Sequence, residues 1–141
     1  MYGISDLKDI GEGFSPKVVE SHKSPSATEA ILVNGFSFGT SPGGSILSDP
    51  KAADYASAIR HVKGKEPPFL LMHGVIDPLV SPLQSSKLYT ALKAKNDDVK
   101  FVLVKNAKHG DLPWFQQPVI DRIVRFFKDK LGTPAKGEQS N

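Results

Sequence analysis

Phe69-Leu70-Leu71-Met72-His73-Gly74-Val75-Ile76-Asp77-Pro78-Leu79-Val80-Ser81-Pro82-Leu83-Gln84 carries, in order, a strand, a loop and the start of a helix. Phe69 to Met72 is a continuous apolar run behind the stop of Pro67-Pro68, which reads as a strand buried on both faces, as in a parallel sheet. Ser81-Pro82-Leu83-Gln84 reads as a capping box, with Ser81 as N-cap, Pro82 in the first turn and Gln84 reaching back. The helix it opens is expected to run to about Lys95, with Leu88, Ala91 and Leu92 on one face, and to end at Asn96-Asp97-Asp98. Val99 to Val104, interrupted by Lys100, is the next strand. Pro118 opens a last helix in which Ile120, Ile123, Val124, Phe127 and Leu131 form a stripe expected to face the core. Lys128 and Lys130 suit its dipole, and Gly132 and Pro134 stop it. Residues 66–132 therefore read as strand, helix, strand, helix, which implies an α/β layered architecture with parallel strands and right-handed crossovers. In such sheets the loops at the carboxyl ends of the strands carry function. Here those loops are His73 to Val80 and Asn106 to Trp114.

Upstream the chain changes character. Residues 11–60 read as a flap-like excursion, loop-like as far as residue 50 and rich in Gly, Ser and Pro, with Gly39-Thr40-Ser41-Pro42-Gly43-Gly44-Ser45 as its extreme. Two short helices are expected within it: Pro25 to Val33, capped by Ser24, and Pro50 to Ile59. The tail, residues 133–141, is polar and expected to be loose. With 141 residues, 39% hydrophobic and 23% charged, the chain fits one ordinary domain and excludes collagen, coiled coil or a mostly disordered chain. Lys and Arg number 18 against 15 Asp and Glu, and the cations are scattered among acids, so no nucleic-acid stripe is present. Without cysteine there is no disulfide, thiol nucleophile or zinc-thiolate site. No apolar run approaches about 18 residues, so no membrane span is expected. Met1-Tyr2-Gly3-Ile4-Ser5-Asp6 has neither the basic head nor the apolar stretch of a signal peptide, and the compartment stays open.

The chemistry concentrates at the two strand ends. Asp77 lies just beyond the first strand and His109 just beyond the second, in Asn106-Ala107-Lys108-His109-Gly110-Asp111. Adjacent parallel strands place both at one sheet edge. A carboxylate there can hold an imidazole by one ring nitrogen and stabilise its cation, leaving the other nitrogen to take a proton from a nucleophile. Taken singly, Asp77 is a turn residue before Pro78 and His109 a loop histidine; as a pair in this order they are candidate catalytic residues. Asp111 ranks below Asp77 as the acid and is a candidate cap for Leu112-Pro113-Trp114. His73 reads as a packed, hydrogen-bonded strand-end residue, and His22 and His61 as solvated. Phe36, Trp114 and Phe115 are candidates for a substrate pocket, with simple packing as the alternative. The histidines are dispersed and the acids unclustered, so neither a metal nor a cofactor is expected.

These segments resemble a known family. Phe69-Leu70-Leu71-Met72-His73-Gly74, Asp77-Pro78-Leu79-Val80-Ser81 and Lys108-His109-Gly110-Asp111 look like the acid and histidine regions of α/β-hydrolases. Tyr2-Gly3-Ile4-Ser5-Asp6-Leu7, Leu32-Val33-Asn34-Gly35 and Gly110-Asp111-Leu112-Pro113-Trp114 bring the likeness closer to bacterial esterases of the feruloyl-esterase and acetylxylan-esterase kind, related to prolyl oligopeptidases and dienelactone hydrolases. The resemblance covers about residues 2–132. It implies the C-terminal portion of a three-layer αβα sandwich, with Asp77 as triad acid, His109 as triad base, and an ester or acylated polysaccharide as substrate. It allows a secreted parent enzyme.

In that family the serine elbow, G-x-S-x-G, precedes the segment similar to Tyr2-Gly3-Ile4-Ser5-Asp6-Leu7, so the resemblance implies a nucleophile upstream of Met1. Gly35-Phe36-Ser37-Phe38-Gly39 matches the same letters, which makes Ser37 a second candidate. An elbow needs a helix immediately after it, whereas Thr40-Ser41-Pro42-Gly43-Gly44 is a poor helix start, and Ser37 reads better as part of a flap. Two functions follow as expectations: an ester hydrolase, or part of one, or else a non-catalytic hydrolase-like module. In either case two strands make a poor sheet, so self-association or a complementary N-terminal half is expected.

Overall fold

The computed structural model describes residues 3–35 and 43–132. In chain order the elements are α1 (Pro16–His22), α2 (Thr28–Asn34), α3 (Pro50–Ala56), a 3₁₀ turn (Ala58–His61), β1 (Phe69–Gly74), α4 (Pro82–Ala94), β2 (Val99–Val104), a second 3₁₀ turn (Leu112–Phe115) and α5 (Gln117–Leu131). The strands pair in parallel, with Phe69 opposite Val99 and Gly74 opposite Val104.

Alternation along both strands builds the two faces. Phe69, Leu71, Val99 and Phe101 pack against Leu88, Tyr89 and Leu92 of α4. Leu70, Met72, Val102 and Val104 face the other way, onto Ala107, Trp114 and Val119 and Ile123 of α5. Helix, sheet and helix make three layers, so the class is α/β with parallel strands, and the described residues form a partial α/β domain. No described helix is long and apolar enough to cross a membrane.

The stripe on α5 is only partly covered. Val119, Ile123 and Phe126 reach the core. Ile120, Val124, Phe127 and Leu131, expected inside, are 40, 44, 52 and 78% exposed. Two strands about 5 Å apart make a layer scarcely wider than a helix of about 10 Å diameter, so one flank of the stripe overhangs.

The upstream stretch is more helical than its composition implies. Ser15-Pro16 starts α1, which was expected to be loop. The helix expected from Pro25 begins at Thr28, because Ser24 Oγ accepts the Ser26 N–H and turns the chain first. α3 is capped by Asp49, which accepts from the Lys51 and Ala52 amides. It stops short of the expected Ile59 because Ser57 Oγ turns back onto the Ala53 carbonyl. Leu7, Ile10, Ile46 and Ala53 form a second, smaller core there.

Gln84 does not reach back to complete a capping box. Its Oε1 accepts from the Ser5 and Asp6 amides (2.9 and 2.8 Å), and its Nε2 donates to the Asp6 and Asp9 carbonyls. Ser81 still caps α4, accepting from the Leu83 N–H at 3.3 Å. The buried amide thus clamps the N-terminal segment to the helix that follows β1.

Candidate active site

Both strands end in loops that are tied to each other. The Val75 N–H donates to the Val104 carbonyl and the Ile76 N–H to the Ala107 carbonyl, each at 3.1 Å. Gly74 makes this crossing possible, since a Cβ there would stand 2.4 Å from the Ala107 oxygen and 2.6 Å from the Lys108 oxygen. Asn106, at φ 57°, and Gly110, at φ 76°, turn the second loop over the end of β1. Asn and Gly are the residue types that adopt this left-handed region most readily. Asp111, expected to cap the following turn, instead accepts from the Lys108 N–H at 2.9 Å and closes the loop around His109.

That closure brings Asp77 and His109 together. His109 Nδ1 donates to Asp77 Oδ2 at 2.8 Å, with the carboxyl side chain fully buried and the imidazole 29% exposed. Asp77 Oδ1 accepts the Leu79 and Val80 amides at 2.9 and 3.0 Å. The turn role and the pairing role of Asp77 are therefore served by different oxygens. The carboxylate is fixed in orientation by its own loop before it meets the ring.

A second imidazole lies beneath. His73, fully buried, sits with Nε2 3.4 Å from Asp77 Oδ2 and 2.9 Å from the Val80 carbonyl, while Nδ1 meets Ser85 Oγ at 2.7 Å. Burial pushes the His73 pKa below its ordinary value. The neutral ring then donates from Nε2 to Val80 and accepts the Ser85 hydroxyl at Nδ1. Of the two imidazoles beside Asp77, that of His109 is partly exposed and that of His73 is buried. With Nδ1 given to Asp77, Nε2 is the ring nitrogen not committed to that carboxylate. Ser85 escaped the sequence reading because nothing in one helical turn tells which face meets β1.

The remaining candidates are dispersed. Ser37 and Phe36 lie outside the described residues. Trp114 is buried in the core on the α5 side of the sheet, and its indole N–H donates to the Lys108 carbonyl at 2.7 Å, which braces the His109 loop from below. Phe115 is 67% exposed. His22, expected to be solvated, is largely enclosed, with Nδ1 2.6 Å from Glu29 Oε1, and His61 meets the Tyr55 carbonyl. No group of three or more His, Cys, Asp or Glu among the described residues is placed to hold a metal.

Comparison with known proteins adds to this geometry. Residues 28–134 match the model of the prolyl oligopeptidase family. No curated protein matches the chain. Among solved structures, a truncated carbohydrate esterase from gut microbiota aligns with TM-score 0.72 and 22% identity, over 92% of this chain and 40% of its own. A bifunctional GH43-CE protein of Bacteroides eggerthii aligns with TM-score 0.72 and 20% identity, over 93% of this chain and 15% of its own. A thermophilic esterase of the Planctomycetes species Thermogutta terrifontis aligns with TM-score 0.53 and 20% identity, over 66% of this chain and 35% of its own. At these identities the likeness is one of fold, and the chain spans less than half the length of each of these structures. A parallel βαβ unit with helices on both faces, an acid and a histidine at adjacent strand ends, and a family match over most of its length place this chain in the prolyl oligopeptidase family.

Proposed function

We propose that the chain contributes the acid and the base of a serine carboxylic-ester hydrolase that acts on acylated carbohydrate, of the feruloyl or acetylxylan type. The observation that carries this reading is the contact of His109 Nδ1 with the buried carboxylate of Asp77. In the reaction a serine hydroxyl attacks the ester carbonyl while His109 Nε2 takes its proton; the ring then returns that proton to the leaving alcohol. Asp77 holds the ring in the tautomer with Nδ1 protonated and stabilises the imidazolium formed at each transfer. The esterase names of the structural neighbours support the ester, and the carbohydrate named for one of them supports the substrate class. The nucleophile is a serine on a complementary N-terminal half, with Ser37 as the alternative.

A fluorophosphonate probe separates these two sources, since labelling of the chain at Ser37 would place the nucleophile within it. In a protein that joins this chain to a serine elbow, His109→Ala should abolish p-nitrophenyl acetate hydrolysis. Near-normal turnover would remove His109 from the mechanism.

A second reading, a non-catalytic hydrolase-like module that self-associates, is favoured by the flank of α5 left uncovered and the sheet of two strands among the described residues. Equilibrium sedimentation tests it: association through that flank gives a dimer that Phe127→Glu disperses. A sharp monomer with a cooperative melt overturns it.

A further inference from the structure

Among the described residues, β2 has a strand neighbour on one side only. Its outer side opens into a groove of about 500 Å³ whose floor is Val99 to Val102. The walls come from the helices on opposite faces of the sheet. Tyr89 and Lys93 of α4 stand four residues apart on one helix face. Arg122, Arg125, Phe126 and Asp129 of α5 fall at i, i+3, i+4 and i+7, again one face. The groove is thus the sandwich continued one strand past β2, with a helix on either side and an unpaired main-chain edge between them.

Its charge is one-sided. Among the described residues, Lys93, Lys100, Arg122 and Arg125 line it against the single carboxylate of Asp129. None of these four cations forms an ion pair among the described residues. Tyr89 and Phe101, with ring centroids 5.7 Å apart, and the buried Phe126 give the groove an apolar lining. A second copy of this chain offering its own β2 edge would set these cations against their duplicates, which opposes pairing of like with like. An acidic strand meets the opposite field.

We infer that the groove beside β2 docks an acidic peptide segment in extended conformation, added to the sheet as a further strand. Its backbone N–H and C=O groups pair with the outer edge of β2, and its side chains point alternately toward α4 and α5. Carboxylates directed to α5 reach Arg122 and Arg125, whose guanidinium forks take carboxylates by two hydrogen bonds at once. Apolar residues between them cover the aromatic lining. No residue of the two loops that hold Asp77 and His109 lines the groove, so the inference stands apart from the proposed hydrolase chemistry.

The test uses the full chain and a fluorescein-labelled peptide of alternating Glu and Val, read by anisotropy at low salt. Saturable binding is expected, weakening as salt rises. Methylating alternate backbone nitrogens keeps every charge but removes the strand-edge donors, and should weaken binding about tenfold or more. The double substitution Arg122→Glu with Arg125→Glu should weaken the acidic peptide by a similar factor and create binding of an alternating Lys-Val peptide, a gain that an unfolded variant could not show. Equal affinity of the methylated peptide, equal affinity of an oligogalacturonate that carries charge without a peptide backbone, or no saturable binding would each overturn the proposal.

Discussion

Replacing Gly74 by Ala tests how the candidate site is held. The added Cβ would lie 2.4 Å from the Ala107 oxygen, 2.6 Å from the Lys108 oxygen and 2.8 Å from the Ala107 carbonyl carbon, all of them main chain. Ordinary carbon contacts begin near ~3.5 Å, so the loop after β2 must retreat by roughly 1 Å. That retreat stretches the Ile76-to-Ala107 hydrogen bond from 3.1 Å and the His109-to-Asp77 contact from 2.8 Å beyond useful range. Overpacking costs about 1–3 kcal/mol, and a lost hydrogen bond to a charged group a further ~1.5–3 kcal/mol. A total destabilisation of about 2.5–6 kcal/mol is expected in urea unfolding with the slope unchanged. The low-field Nδ1 proton of His109 should broaden or vanish in NMR spectra of the variant. A variant that unfolds at the parent's urea midpoint and keeps that resonance would refute the account of Gly74 as the spacer between the two loops.

Other substitutions separate the remaining parts. Gln84→Ala removes five side-chain hydrogen bonds to residues 5–9 and leaves the Ser5 and Asp6 amides unpaired, at about 1–3 kcal/mol for each buried donor. Amide exchange at Ser5 and Asp6 should accelerate while β1 stays protected, and uniform protection would contradict the clamp. The lowered pKa of His73 means that the unfolded chain takes up its proton first, so this residue lowers stability as pH falls below the unfolded value of about 6.5. His73→Gln should flatten the urea midpoint between about pH 6.5 and 5, and an undiminished slope would assign the effect elsewhere. Asp97 is buried with Oδ2 lacking a hydrogen-bond partner among the described residues, and burial with the neighbouring Glu66 raises its pKa. A raised carboxyl destabilises the fold above its unfolded value, so Asp97→Asn should raise Tm at neutral pH and lose that advantage in acid. A lower Tm at neutral pH would reverse the sign.

The parts legible in the sequence share a physical reason, which is that local rules settle them. The unbroken run Phe69–Met72 marks a strand with two covered faces, and the cap at Ser81 needs only its neighbours. Asp77 and His109 could be paired in advance because parallel adjacency puts successive strand ends at one edge. Where two local interpretations compete, the sequence is silent. Ser81-x-x-Gln84 suits a capping box and a long-range clamp equally, and only the arrival of residues 5–9 chose the clamp. Pro25 could open a helix until Ser24 turned the chain before it.

Residue order alone determined the layered α/β class, the place of the acid and histidine at neighbouring strand ends, and the apolar stripe on α5, because strand burial and helical period are written into side-chain spacing. Tertiary structure decided the rest. It gave each oxygen of Asp77 a separate task, kept His73 neutral under the site, required a hydrogen side chain at Gly74, and left one flank of α5 uncovered. These depend on how far apart two backbones lie and how wide the sheet is, distances set only when segments remote in sequence pack together.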